Sequence, residues 1–208
     1  MGSQPFDRVD AIAAPLDQDN IDTDQIFPGR FLRKPRTMGY AGFLFHDLRF
    51  GDDGAPRPEF PLNLPAHDGA AVLVTGANFG CGSSREGAVW ALVDAGFRAV
   101  VAPSFSDIFY NNASRNGLLP VRLPQDVVSG LRAQLAERPG SRIAIDLDAQ
   151  RVTGPGGESW QFVIDSFRKE LLRRGLDTVD LTLEQVPALE AYEARARQRT
   201  PWLFSPPA

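Results

Sequence analysis

From residue 70 onward the chain alternates short apolar runs with stretches of helical period. Ala71-Val72-Leu73-Val74 and Ala99-Val100-Val101-Ala102 are short, continuous and rich in β-branched residues, the signature of strands buried on both faces. Between them, residues 84–95 place Ala88, Ala91, Leu92 and Ala95 on one helical face. Gly96 follows where a left-handed residue ends a helix at little cost. Strand, helix and strand make a βαβ unit. A second helix is expected from Ser104 to about Asn112, with Ser104 and Asp107 as its capping box, before Asn116-Gly117 turns the chain into a strand over Leu118-Leu119-Pro120-Val121. The pattern then gives a helix over 125–137, strands over 142–147 and 161–164 around the Gly154-Pro155-Gly156-Gly157 turn, and helices over 166–174 and 184–197. No internal repeat is present. The tail Pro201–Ala208 is expected to be loose or partner-bound.

Residues 1–68 look different. They are rich in Gly, Pro, Asp and aromatic residues with short apolar pieces, so they are expected to be loops joining short strands or turns, shaped by what they pack against. The expected organisation is one domain over 1–208, comprising this loop-rich part, a βαβ core over 69–165, and C-terminal helices with a tail over 166–208.

Composition narrows the function. The net charge of -4, with Lys and Arg dispersed, offers no footprint for nucleic acid or an acidic membrane. No apolar stretch approaches the ~20 residues of a membrane span, and the first residues lack a signal-peptide core, so a cytoplasmic protein is expected. The single cysteine, Cys81, with His46 and His67 cannot build a metal cage, so no metal is expected on this chain.

Chemistry concentrates in Asn78-Phe79-Gly80-Cys81-Gly82-Ser83-Ser84-Arg85-Glu86, between a strand and a helix start. Unpaired backbone N–H groups and the helix dipole favour an anion there, and Arg85 adds a planar cation suited to a carboxylate or phosphate. The spacing matches no phosphate loop, dinucleotide fingerprint or nucleophile elbow, which makes a di- or tricarboxylic acid the better ligand. Equally, Ser83 with Glu86 reads as a capping box and Arg85 as a solvated side chain. Cys81 reads as a small turn residue, although thiols at helix N-termini can be activated. Asp22 and Asp24 read either as acidic site residues or as turn caps, and His46 is left unassigned.

These pieces, in order, resemble the small subunits of 3-isopropylmalate dehydratases and, more broadly, the swivelling domain of the aconitase superfamily. The resemblance runs from Asn20-Ile21-Asp22-Thr23-Asp24-Gln25-Ile26 with Pro28 and Arg30-Phe31-Leu32, through Asn78–Glu86, Ala102–Phe105, Ile108-Phe109 and Asn116–Val121. It continues with Phe162–Asp165, Phe167–Lys169, Gly175–Asp177, Leu181–Leu183 and Tyr192-Glu193. It implies a three-layer β/β/α swivelling domain and a hydro-lyase interconverting 2- and 3-isopropylmalate. It also implies a four-iron, four-sulfur cluster carried by a partner large subunit rather than by this chain. Ser83 would be the base that removes a proton from carbon; Ser84, Arg85 and the acidic Asp24 would surround the substrate, and Arg36 would reach a second carboxylate. The chain departs from the family after Glu86, where His-Ala-Pro is replaced by Gly87-Ala88-Val89. Alternatives are therefore a subunit for methylmalate/citraconate or another small hydroxy diacid, and a non-catalytic carboxylate-binding or regulatory module.

Overall fold

The longest strand comes from the part expected to be loops. In a computed structural model, which describes residues 4–204, Arg8–Leu16 forms β1, the strand that joins two half-sheets. Its first half, Arg8–Ile12, pairs antiparallel with β5 (Arg142–Asp146); its second half, Ala13–Leu16, pairs parallel with β2 (Val72–Thr75). Burial follows the switch, because β1 is partly exposed along the first half and fully buried from Ala13. Ala-rich and interrupted by Pro15, this segment has low intrinsic strand preference, and its neighbours on both sides impose the extended conformation.

The parallel half continues from β2 to β3 (Ala99–Ala102) and β4 (Leu119–Arg122), and the antiparallel half from β5 to β6 (Arg151–Thr153) and β7 (Ser159–Gln161). The order across the seven strands is β4-β3-β2-β1-β5-β6-β7. The expected strand over 161–164 is thus displaced: Gln161 ends β7, and β6 is its hairpin partner around the 154–157 turn.

Two cores lie on opposite faces of the parallel half, as the period-2 alternation of strands requires. Leu73, Val100 and Ala102 face helix α3 (Glu86–Asp94), helix α4 (Asp107–Arg115) and an aromatic cluster from the N-terminal part. That part contains two one-turn helices, α1 (Thr23–Ile26) and α2 (His46–Arg49). Val72, Val74, Val101 and Val121 face helix α5 (Gln125–Glu137) together with Ile143, Ile145 and Val152 of the antiparallel half. Two half-sheets and a helical layer give the α/β layering expected from the sequence.

Helix boundaries moved where tertiary contacts compete with local signals. The expected Ser104–Asp107 capping box is absent. Phe79 and Phe105 form a parallel β-bridge, which keeps 104–106 extended, so α4 starts at Asp107 with Ser106 accepting from Phe109 N. Ser104 Oγ instead accepts from Asn78 N at 2.8 Å. Helix α6 (Ser166–Arg174) is capped by Asp165 and closed by left-handed Gly175. An unexpected helix α7 (Thr178–Leu183) begins on an Asp177 capping box, and the last helix, α8 (Val186–Arg199), opens with Pro187 in its first turn. Residues 205–208 of the expected tail lie outside the described residues.

Candidate functional site

The loop after β2 is pinned from two sides. Gly80 N donates to Ile21 O at 2.8 Å and Cys81 O accepts from Thr23 N at 2.9 Å, while Ser106 Oγ donates to Gly80 O at 2.5 Å. Gly80 has φ +72°, and a Cβ there would lie 2.3 Å from the Phe109 ring, so only glycine permits this approach. The pinning forces the chain outward over residues 82–86. Thr23 Oγ1 then holds Ser83 by its carbonyl, at 2.9 Å, leaving the Ser83 hydroxyl without a protein partner among the described residues.

Helix α3 starts bare. Arg85 occupies the N-cap position in extended conformation with no side-chain cap, so the Ser83–Glu86 capping box is not formed. No backbone N–H from Gly82 to Gly87 donates to a protein acceptor among the described residues. Free donors at a helix start favour an anion, and the helix dipole adds partial positive charge there.

The cleft there, about 660 Å³ and open to solvent, is lined by residues 83–87 together with Leu32, Trp90 and two residues of α4, Asn112 and Arg115. Arg85, in the wall of the cleft, pairs with Asp24 through Nη1. Asp24 also accepts from Gly29 N at 3.0 Å. The Arg85 hydrogen bond, against the opposing effect of burial and with help from Gly29, holds the Asp24 carboxyl below its ordinary value. Among the described residues only Nη1 of Arg85 is engaged, so Nη2 and Nε remain as a two-pronged donor for a carboxylate. Asp22 instead caps α1, accepting from Gln25 N at 2.7 Å.

The structure sets Arg36 apart from the other four predicted site residues. Both of its terminal nitrogens bind Asp94, near the end of α3, and its guanidinium lies 5.3 Å from the Tyr40 ring and 5.4 Å from that of Trp90. Asp94 also takes Tyr40 N at 2.6 Å, so this pairing straps the 36–40 segment to α3. Arg115, exposed and with no ion-pair partner among the described residues, is the cation that sequence reasoning missed. Its signal was available: Asn112 and Arg115 are three apart on one helix and share a face. The Cys81 thiol is pushed up by burial and by the Asp22 charge, the reverse of an activated nucleophile. Arg30 and His46 form a separate exposed network with Asp47.

Gly87 is buried, and the nearest atoms its missing Cβ would meet belong to the Phe27 ring, 3.0 Å away. Its side-chain direction therefore points at the core rather than at Ser83.

Comparison with known proteins finds matches along most of the chain. Residues 3–126 match the family model of the aconitase C-terminal domain and residues 130–166 the model described as LeuD_N. Residues 179–205 match the model of the C-terminal domain of the 3-isopropylmalate dehydratase small subunit. The 3-isopropylmalate dehydratase small subunit of Saccharophagus degradans is 45% identical, the alignment covering 96% of this chain and 97% of that one. The crystal structure of a 3-isopropylmalate dehydratase from Methanocaldococcus jannaschii matches with a TM-score of 0.66 at 28% identity, covering 88% of this chain and 99% of its own. The chain belongs to the family of 3-isopropylmalate dehydratase small subunits.

Proposed function

We propose that this chain is the small subunit of a cytoplasmic hydro-lyase that interconverts 2- and 3-isopropylmalate in leucine biosynthesis, active only with a large subunit. The observation that carries the proposal is the cleft itself: Ser83, with an unpartnered hydroxyl, and Arg85, with a free fork, line it together at the uncapped start of α3.

Ser83 Oγ is the proton acceptor. In dehydration it takes the proton from the carbon next to the one losing hydroxide, and in rehydration it returns a proton to carbon. A serine hydroxyl is a weak acid, so its deprotonated form needs nearby positive potential, which the bare α3 mouth and Arg85 supply. Arg85 holds one substrate carboxylate through Nη2 and Nε, with Ser84 beside it. Asp24 acts through Arg85: it fixes the guanidinium, while its own negative charge would repel a diacid. The second carboxylate is assigned to Arg115 rather than to Arg36, whose donors are occupied by Asp94. Leu32 and Trp90 offer the apolar wall that an isopropyl branch needs.

A four-iron, four-sulfur cluster, if held by the large subunit as the family resemblance implies, would contribute Lewis-acid chemistry at the substrate hydroxyl. This chain does not fit such a group, since Cys81 is its one cysteine and no cluster of three His, Cys, Asp or Glu side chains forms among the described residues. Among the described residues no helix is long and apolar enough to cross a membrane.

A side chain at 87 would project toward Phe27, so the glycine fills a packing requirement where helix α3 borders the cleft. The test is an anaerobic assay of the reconstituted pair. Ser83→Ala is expected to lower kcat by about 10² to 10⁴ while the subunits still associate. Turnover that survives this change with little loss ends the catalytic assignment, and a preference for citraconate or methylmalate over isopropylmalate ends the substrate assignment.

A further inference from the structure

Arg49, the last residue of α2, is half-buried and has no carboxylate partner among the described residues. Only its Nε is bonded, donating to Asn63 Oδ1 at 3.1 Å, so Nη1 and Nη2 are without a hydrogen-bond partner there. Burial lowers the guanidinium from its ordinary value, the mark of a cation that has lost water without gaining an anion. This arginine lines a pocket of about 140 Å³ together with His67 and Asp68, and Leu44, Leu62 and Phe97 supply apolar walls. His67 is 5% exposed, and its Nδ1, 2.8 Å from the Pro61 carbonyl, must donate to it. Nε2 of the neutral ring is then an acceptor, buried and with no partner among the described residues. Asp68 is exposed and forms no ion pair with Arg49, although both line the same small space. The pocket is separate from the cleft. Ala95, which ends α3, lines the pocket, and Arg85, which begins it, lines the cleft, so nine helical residues, about 14 Å, lie between them.

We propose that this pocket is a second ligand site, one that takes a small zwitterion with an apolar side chain, an α-amino acid of the leucine type. A ligand carboxylate takes the two free nitrogens of Arg49, the planar fork that suits it. A ligand ammonium answers Asp68 and brings the N–H donors that the lining of His67 lacks, and the C-terminal end of α3 at Ala95 adds partial negative charge on its side. The side chain lies against Leu44, Leu62 and Phe97. Size sets the upper bound. The volume is well below the roughly 300 Å³ at which pockets for drug-sized molecules begin, and close to the roughly 150 Å³ of a cavity that holds benzene, so a short branched chain is about the largest it can enclose. Charge excludes other small anions. A diacid would set its second carboxylate against Asp68, and a phosphate would leave Asp68 unmatched and the apolar walls empty. The site does not depend on what the cleft catalyses.

The test is calorimetric titration of the full chain with L-leucine, which is expected to bind saturably at a single site. Isovalerate, which lacks the ammonium, and isopentylamine, which lacks the carboxylate, should each bind about tenfold or more weakly, the worth of one charged contact. Asp68→Asn, at an exposed position, and Arg49→Lys, which keeps the charge and loses the fork, should each raise the Kd for leucine by about tenfold or more. Arg49 also braces Asn63, so Asp68→Asn decides where Arg49→Lys lowers the melting temperature. Absence of saturable leucine binding overturns the proposal. Isovalerate binding as tightly as leucine overturns it as well, since the ammonium then adds nothing. A Kd within about twofold of wild type in both variants places the leucine elsewhere on the chain and has the same consequence.

Discussion

Gly87→Ala sets two energies of opposite sign against each other. Replacing glycine by alanine within a helix stabilises by about 0.8–1.0 kcal/mol through backbone entropy. Here, however, the new methyl would lie 3.0 Å from both Cδ1 and Cε1 of Phe27, closer than the roughly 3.5–4.0 Å at which carbon atoms attract. Phe27 is fully buried, stacked on Tyr40 at a centroid distance of 4.7 Å and edge-on to Phe43 at 6.1 Å, so it has no free direction in which to yield. Overpacking of this kind costs about 1–3 kcal/mol, and set against that gain the expected net effect is a loss of up to about 2 kcal/mol. For a chain of this length that upper limit corresponds to a melting temperature lower by about 4–8 °C. Urea denaturation should show a lower midpoint at unchanged slope. Phe27→Leu, which shortens the ring, should relieve the clash, so the double variant should be more stable than the sum of the single effects predicts, by about 1 kcal/mol. A Gly87→Ala variant that is more stable than wild type by the helix-propensity gain alone would refute the reasoning.

Two further outcomes probe the cleft. Arg115→Ala should raise KM for isopropylmalate about 10- to 100-fold, the worth of a charge-assisted carboxylate contact, whereas Arg36→Ala should lower thermal stability by freeing the 36–40 segment and move KM less; steady-state kinetics showing the reverse order would restore Arg36 to the substrate. The Asp24 carboxyl, held below its ordinary value chiefly by Arg85, stabilises the fold above the unfolded-state pKa and ceases to do so as pH falls through the lower folded value; Asp24→Asn should therefore be less stable than wild type at neutral pH, the gap closing below about pH 4 in pH-dependent melts.

Much of the frame was legible because it is local. Strands β2, β3 and β4 are runs of four residues whose apolar character alone announces burial, and Gly96 follows α3 in the left-handed conformation that its position implied. Strand β1 was not legible, since Ala11, Ala13, Ala14 and Pro15 argue against a strand until two neighbours pair with them. The same division runs through the site. The free donors of residues 82–87 follow from glycines before a helix, but the Asp24–Arg85 pair joins residues 61 apart, and the capture of Arg36 by Asp94 joins residues 58 apart. No spacing rule along the chain encodes either.

The openness of the cleft bears on why this chemistry is divided between two subunits. Ser83 and Ser84 are exposed and Asp24 is more than half exposed, so in the free protein water screens the potential that a serine base requires. Among the described residues nothing lies over the cleft to exclude that water, and a covering surface has to come from outside. Once water is displaced, the same Asp24–Arg85 contact operates at lower dielectric and holds the free fork more rigidly. Ser83 would then become basic only when the partner is in place, which ties proton abstraction to assembly.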